Sequence, residues 1–223
     1  MKNILNFTFI FIIVLQKYNY ADGNEKNLKS TPFFPVSGNV KLIYKTSFGE
    51  ESVSKLTASN NTVLSSSESS KFKYYQTLLI KDDGVYVTGT DQKLHLFLIV
   101  NKEAKHSYDR PLLRMPLPVF AGKEWNWNGV EYGDGDSVKI NVRGRVICKE
   151  NIMIPAGSFD AFKVETVIEN SLDSKNVITE WFSEGVGLVK ANIAVSGGGI
   201  LGFVRDLLGY KEITFELKEI KRD

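Results

Sequence analysis

Between Ile152 and Lys190 the chain spells out two reversals, IPAGSFDAFKVE and EWFSEGVGLVK, each flanked by alternating apolar and polar residues. Pro155 cannot donate to a ladder and holds Ile154 extended, while Gly157 supplies the freedom to turn the chain back. The SEGVG run serves the second reversal in the same way. Two consecutive hairpins with matched alternation define a meandering antiparallel sheet. The same stretch holds no nucleophile with its base, no metal-ligand spacing and no phosphate loop. It therefore constrains architecture and leaves the chemistry open.

Strand patterns continue on both sides of these hairpins. Val40, Leu42 and Tyr44 alternate with Lys41 and Lys45; residues 51–58 and KFKYYQTLLI follow, and Asp82-Asp83-Gly84 turns into VYVTG and then LHLFLIV. The serine-rich run SNNTVLSSSESS reads as a mobile hairpin loop, and Pro111, Pro116 and Pro118 make residues 101–121 read as a stiff surface connection. Strands near 122–132, 136–153, 159–169, 175–184, 187–196 and 210–221 complete the count. The expectation is a mainly β protein of about eleven strands, an antiparallel sheet large enough to curve into a half-barrel.

One segment departs from period two. In GGGILGFVRDLLGYK, Ile200, Phe203, Val204, Leu207 and Leu208 fall at the spacing of one helical face, and Gly209 stands where a helix ends. This predicts a short helix near 200–208. It would cover the concave face of the sheet or act as a lid over an apolar cavity.

The first residues assign a compartment. Lys2 precedes an apolar run from Ile4 to Leu15, too short to span a bilayer and placed as in a secretory signal. Residues 1–21 are read as a signal peptide with Ala21 before the cleavage site, 22–38 as an N-terminal tether, and 39–223 as one β-rich domain. Cleavage removes Lys2 and Lys17 and no acid, which brings 28 basic residues down to 26 against 26 acidic ones. A balanced chain without a dense basic cluster lacks the footprint of a nucleic-acid binder. The expected location is periplasmic or extracellular, with a mature chain that does not span the membrane.

Candidate chemical residues are few. Cys148 is the sole cysteine, so no intramolecular disulfide is possible, and counting by twos through SVKINVRGRVICKE points it with the core residues. Trp125 and Trp127 share one face of their strand; they are either core aromatics or a stacking platform for a ligand. Trp181 and Phe182 point to opposite faces, which leaves one of those rings near the surface or under a loop. Glu131, Asp134 and Asp136 in VEYGDGDS lack the ligand pattern of a calcium loop and suit a hairpin turn. His95 and His106 form no zinc motif, Ser158 lies in a turn with no base in sight, and Glu165 and Glu180 are assigned to strand exteriors. No catalytic residue, metal or cofactor is therefore expected. Asn60-Asn61-Thr62 is a formal glycosylation acceptor.

FFPVSGNVKLIYK, PLPVFAGKEWNWNG, IPAGSFDAFKVE and EWFSEGVGLVK together resemble an uncharacterised family of bacterial exported proteins. That family is similar in architecture to the outer-membrane lipoprotein carriers of the LolA/LolB type. The resemblance implies a curved antiparallel sheet with a helical plug, onto which GGGILGFVRDLLG maps, and an exported location; it carries over no catalytic residues. There is no lipobox cysteine. The leading expectation is a non-enzymatic envelope protein that binds a lipid or other hydrophobic ligand on its concave face, using Trp125, Trp127, Ile200, Phe203, Val204, Leu207 and Leu208. The competing expectation is a structural or interaction protein with a fully packed sheet that docks an envelope protein.

Overall fold

A computed structural model describes residues 30–36, 39–47, 49–59, 61–96, 100–133, 135–172, 174–196 and 212–222. The signal segment, most of the tether and the helix expected near 200–208, with Ile200, Phe203, Val204, Leu207 and Leu208, lie outside the described residues.

Among the described residues twelve strands follow one another: β1 (Val40–Thr46), β2 (Glu51–Ser59), β3 (Thr62–Glu68), β4 (Phe72–Lys81), β5 (Gly84–Leu96), β6 (Val100–Pro116), β7 (Glu124–Gly133), β8 (Asp136–Ile154), β9 (Gly157–Asn170), β10 (Lys175–Ser183), β11 (Gly187–Ser196) and β12 (Glu212–Arg222). Every strand pairs antiparallel with its sequence neighbours, and β1 also pairs with β12 from Val40↔Arg222 to Thr46↔Phe215. The sheet is thus a closed up-and-down barrel, not the open half-barrel expected from strand count and resemblance. Closure satisfies the two edges that a half-barrel would expose.

Three segments supply the difference: Leu94–Leu96, expected to open a strand of its own, continue β5 from VYVTG, and two further runs are strands that were not expected. The serine-rich run expected to be a loop is β3, paired with β2 from Val53↔Glu68 to Ser59↔Thr62 and with β4 from Val63↔Leu78 to Glu68↔Lys73. Residues 101–121, expected to be a connection, are mostly β6. Pro111 is tolerated there because β6 bulges between Ser107↔Gly89 and Leu112↔Val87, where a missing N–H breaks no ladder. Against β7 the backbone pairs only from His106 to Tyr108. Beyond that, side chains bridge the seam: Asp109 Oδ1 accepts from the Val130 N–H at 3.1 Å, Trp127 Nε1 donates to the Pro111 carbonyl at 3.0 Å, and Arg110 donates to the Asn128 carbonyl.

Eight strands make a barrel that wall side chains can fill, and sixteen or more leave a channel. Twelve strands fall between, so the interior needs bulk beyond ordinary aliphatics. Part of it comes from the start of the described chain. Thr31–Phe34 forms a tight turn held to the β10–β11 turn by the Gly185 N–H on the Pro32 carbonyl at 2.8 Å. It drives Phe33 and Phe34 into the barrel end, against Phe162 (5.7 Å between centroids) and Phe182 (5.5 Å). Burial of each ring contributes about 2 kcal/mol. Trp125 and Trp127 supply more bulk, together with Val142, Val146, Val164 and Ile168 on β8 and β9.

A second core lies under the long β8–β9 hairpin. Its PAGS tip docks on β12 through the Ala156 N–H and the Leu217 carbonyl at 3.0 Å. Ile154 and Ala161 are buried there with Trp181, Val189 and Leu217. Trp181 is the ring placed under this hairpin, with its Nε1 donating to Glu150 at 2.7 Å, while Phe182 enters the barrel. A bulge between Val146 and Cys148 shifts the register, so Cys148 pairs with Lys163 and is half-buried instead of continuing the interior row.

Candidate functional site

The interior is not completely filled. A cavity of about 260 Å³ opens beside the Phe33–Phe34 plug and is lined from β1–β6 and β8–β12. For scale, an apolar cavity of ~150 Å³ already holds benzene.

Its walls differ in chemistry. From β10–β12 and β1 come Ile178, Phe182, Leu188, Ala191, Ile193, Phe215, Ile220 and Leu42. From β2–β4 come Ser54, Lys55, Ser65, Ser67, Tyr74 and Gln76, with Leu56 among them, and Arg222 of β12 also lines the space. Alternation explains the polar wall: in β3 the residues Val63, Ser65 and Ser67 share the inward face, so a run that looks featureless in sequence lays hydroxyls along the cavity. Ser67 Oγ lies 2.9 Å from both the Ser52 and Ser54 hydroxyls. Tyr44, on β1, donates its hydroxyl to the Leu188 carbonyl at 2.6 Å.

One ion pair faces this space. Arg114 of β6 donates through Nη2 to Glu180 Oε1 of β10 at 2.6 Å, and its guanidinium lies 5.8 Å from the ring centroids of both Phe34 and Phe182. Burial works against the Arg114 charge, but the Glu180 carboxylate and Tyr74 together outweigh it and hold the guanidinium above its ordinary value. Burial pushes the Tyr44 and Tyr74 hydroxyls well above the usual phenol range; Glu180 adds to the effect at both, while Arg114 opposes it at Tyr74.

A second buried polar row continues around the wall. Gln76, Thr90 and His106 are direct partners across β4, β5 and β6, and His106 Nδ1 meets Glu131 Oε1 of β7 at 2.5 Å. All four are buried, Glu131 at 2 % exposure. Among the described residues His106 Nε2 and Glu131 Oε2 find no hydrogen-bond partner. Tyr108, which lines the cavity and stacks edge-on against Trp127 at 6.0 Å, is raised well above its usual range by burial and by Glu131.

The structure separates the ligand-contact residues expected from sequence. Trp125 and Trp127 are each 6 % exposed, pack in the main core and lie outside the cavity wall. Glu180, assigned to a strand exterior, points inward; a register reading through ITEWFS cannot tell which face becomes the inside once the sheet closes. Glu131, read as part of a turn, is the buried partner of His106, while Gly135 takes the turn with φ +87°. No cluster of three metal-ligating side chains occurs among the described residues. Arg114, Tyr74 and the β3 serines were not singled out as site residues by sequence; for Arg114 and the serines the signal was a run of inward parity, readable only after β3 and β6 are known to be strands.

Comparison with known proteins adds a partial family match. A family model described as DUF3108-like matches residues 131–193, from Glu131 on β7 to Ile193 on β11. Among curated proteins none matches the chain. Two crystal structures are similar at low identity: a candidate lipoprotein from Parabacteroides distasonis (14 % identity, TM-score 0.44) and a candidate exported protein with a YmcC-like fold from Bacteroides fragilis (15 %, TM-score 0.44). Each comparison covers 86 % of this chain and all of the other.

Proposed function

We propose that this protein is an exported, non-enzymatic binding protein that holds a small hydrophobic or amphiphilic ligand inside its barrel. The observation that carries the reading is the cavity of about 260 Å³ beside the plug, walled on one side by aliphatic and aromatic residues and on the other by hydroxyls. Ligand sites of β-barrels lie in their mouths and are mostly apolar with a few placed polar groups. The N-terminal apolar run behind Lys2 supports export. The outward faces support a barrel that works in water: Lys139, Arg143 and Arg145 on β8 alternate with inward Ile140, Val142 and Val146, the reverse of the apolar outer band of a membrane barrel.

The test is native mass spectrometry and organic extraction of the mature protein purified from its own source without detergent. A retained small molecule that is released on unfolding is the expected result. Protein that carries no such mass, and whose melting temperature no amphiphile raises, would overturn the reading and favour a packed envelope protein with a docking role.

A further inference from the structure

The charges of the cavity wall narrow the ligand's chemistry. Among the described residues Arg114, Lys55 and Arg222 line the space against one acid, Glu180, and that acid is engaged by Arg114 at 2.6 Å. The positive charge left over is that of Lys55 and Arg222. Neither has an ion pair among the described residues, and Glu219 of β12 is engaged by Lys221 at 3.8 Å.

The register of β12 places that charge relative to the apolar wall. Arg222 pairs with Val40 and Ile220 with Leu42, and direct partners share a face of the sheet, so these four residues form one block of the lining. Arg222 ends its strand at the barrel end where the plug meets the β10–β11 turn, and Phe215 lies deeper on the same strand. Lys55 follows Ser54, which is the partner of Leu42 on the other side of β1. A cationic rim thus leads into an aliphatic and aromatic wall. An anion at this rim meets two cations and keeps part of its hydration, so it escapes the desolvation that penalises a buried charge.

We infer that the cavity takes an amphiphile with an anionic head, a carboxylate or a phosphate ester, held by Arg222 and Lys55 with its tail against Leu42, Ile220 and Phe215. This rests on the binding reading above and deepens it. The two rim cations then select the head, and the apolar wall holds the tail whatever the head.

The experiment titrates laurate, dodecyl phosphate, dodecanol and dodecyltrimethylammonium onto the mature protein at neutral pH and low salt, by isothermal titration and melting temperature. At least one of the anions should bind about fivefold or more tighter than dodecanol, with the trimethylammonium weakest, and that lead should shrink at high salt. A lead of laurate supports a free acid as the ligand; a lead of dodecyl phosphate supports a phosphate headgroup. Substituting Lys55→Gln and Arg222→Gln together should lower the affinity for the leading anion at least about fivefold more than the affinity for dodecanol. Dodecanol bound as tightly as both anions, or an anion affinity that the double substitution leaves unchanged, overturns the anionic head while leaving the binding reading intact. Wild-type protein that binds none of the four defeats the binding reading itself. If the double variant does not fold, the order of the four ligands on wild-type protein and its salt dependence decide.

Discussion

The β7–β8 side and the β1–β4 side of the barrel solve the same geometric problem in opposite ways. On β7–β8, Trp125 lies across Gly144 and Trp127 folds over Gly129 of its own strand, so closely that a Cβ at either glycine would overlap an indole ring. On β1–β4, short serine side chains face inward and a cavity of about 260 Å³ remains. A twelve-stranded wall encloses more volume than aliphatic side chains fill, so large rings must be supplied somewhere. Seating the two indoles against glycines fills the β7–β8 side, while the serines of β2 and β3 leave space beside them. The difference teaches that the void is a placed feature of this barrel, set against a side with no slack.

The packed side should therefore respond most to change. Trp127→Ala removes a buried ring, its bond to Pro111 and its edge contact with Tyr108, and should destabilise by about 4 kcal/mol in urea unfolding. A loss below about 1 kcal/mol would mean that this side also has slack. Gly144→Ala adds a methyl where Trp125 sits and should cost about 2–3 kcal/mol, with loss of the near-ultraviolet dichroism of the tryptophans. Stability unchanged in Gly144→Ala would break the contrast between the two sides from the other direction.

The tyrosines on the cavity side give a smaller, graded effect. Burial raises the folded-state values of Tyr44, Tyr74 and Tyr108, so the fold keeps their protons while the unfolded chain begins to release them near pH ~10. Their contribution is fully present below that point and is lost as pH rises above it, by up to about 1.4 kcal/mol per pH unit for each tyrosine. Urea midpoints against pH, with tyrosinate absorbance followed alongside, check this. Tyrosinate from these residues that appears well before structure is lost would show a cavity open to water.

These contrasts also explain what could be read in advance. The two hairpins around Pro155 and Gly185 were legible because turn residues and alternation coincide there, and β8 and β9 follow them closely. Closure was not legible. It depends on Val40 meeting Arg222, a pairing across the whole chain that no local pattern encodes. β3 was hidden because serine is a poor strand signal; its pairing is imposed by β2 and β4 on either side. β6 was hidden by prolines that its bulge accommodates. The ion pair of Arg114 and Glu180 joins residues of β6 and β10; Glu180 read as an exterior charge and Arg114 lay in a stretch read as a connection until the barrel closed around them.

The smallest expected effect on stability is also the one that separates the two sides most sharply. Leu56 of β2 lines the cavity and is half-buried, so Leu56→Phe places extra ring atoms into space instead of into neighbours. Enlargement in a filled core costs about 1–3 kcal/mol, but into a void the added burial offsets the strain, and the change should lie within about 1 kcal/mol of zero. Binding should behave otherwise: the ring takes up volume that a ligand needs, and affinity for dodecanol should fall at least about tenfold. Gly144→Ala, in protein that remains folded, should leave that affinity nearly unchanged. If Leu56→Phe destabilises as strongly as Gly144→Ala, the two sides are packed alike and the cavity cannot be a ligand site; if it is neutral in stability and silent in binding, the ligand lies elsewhere.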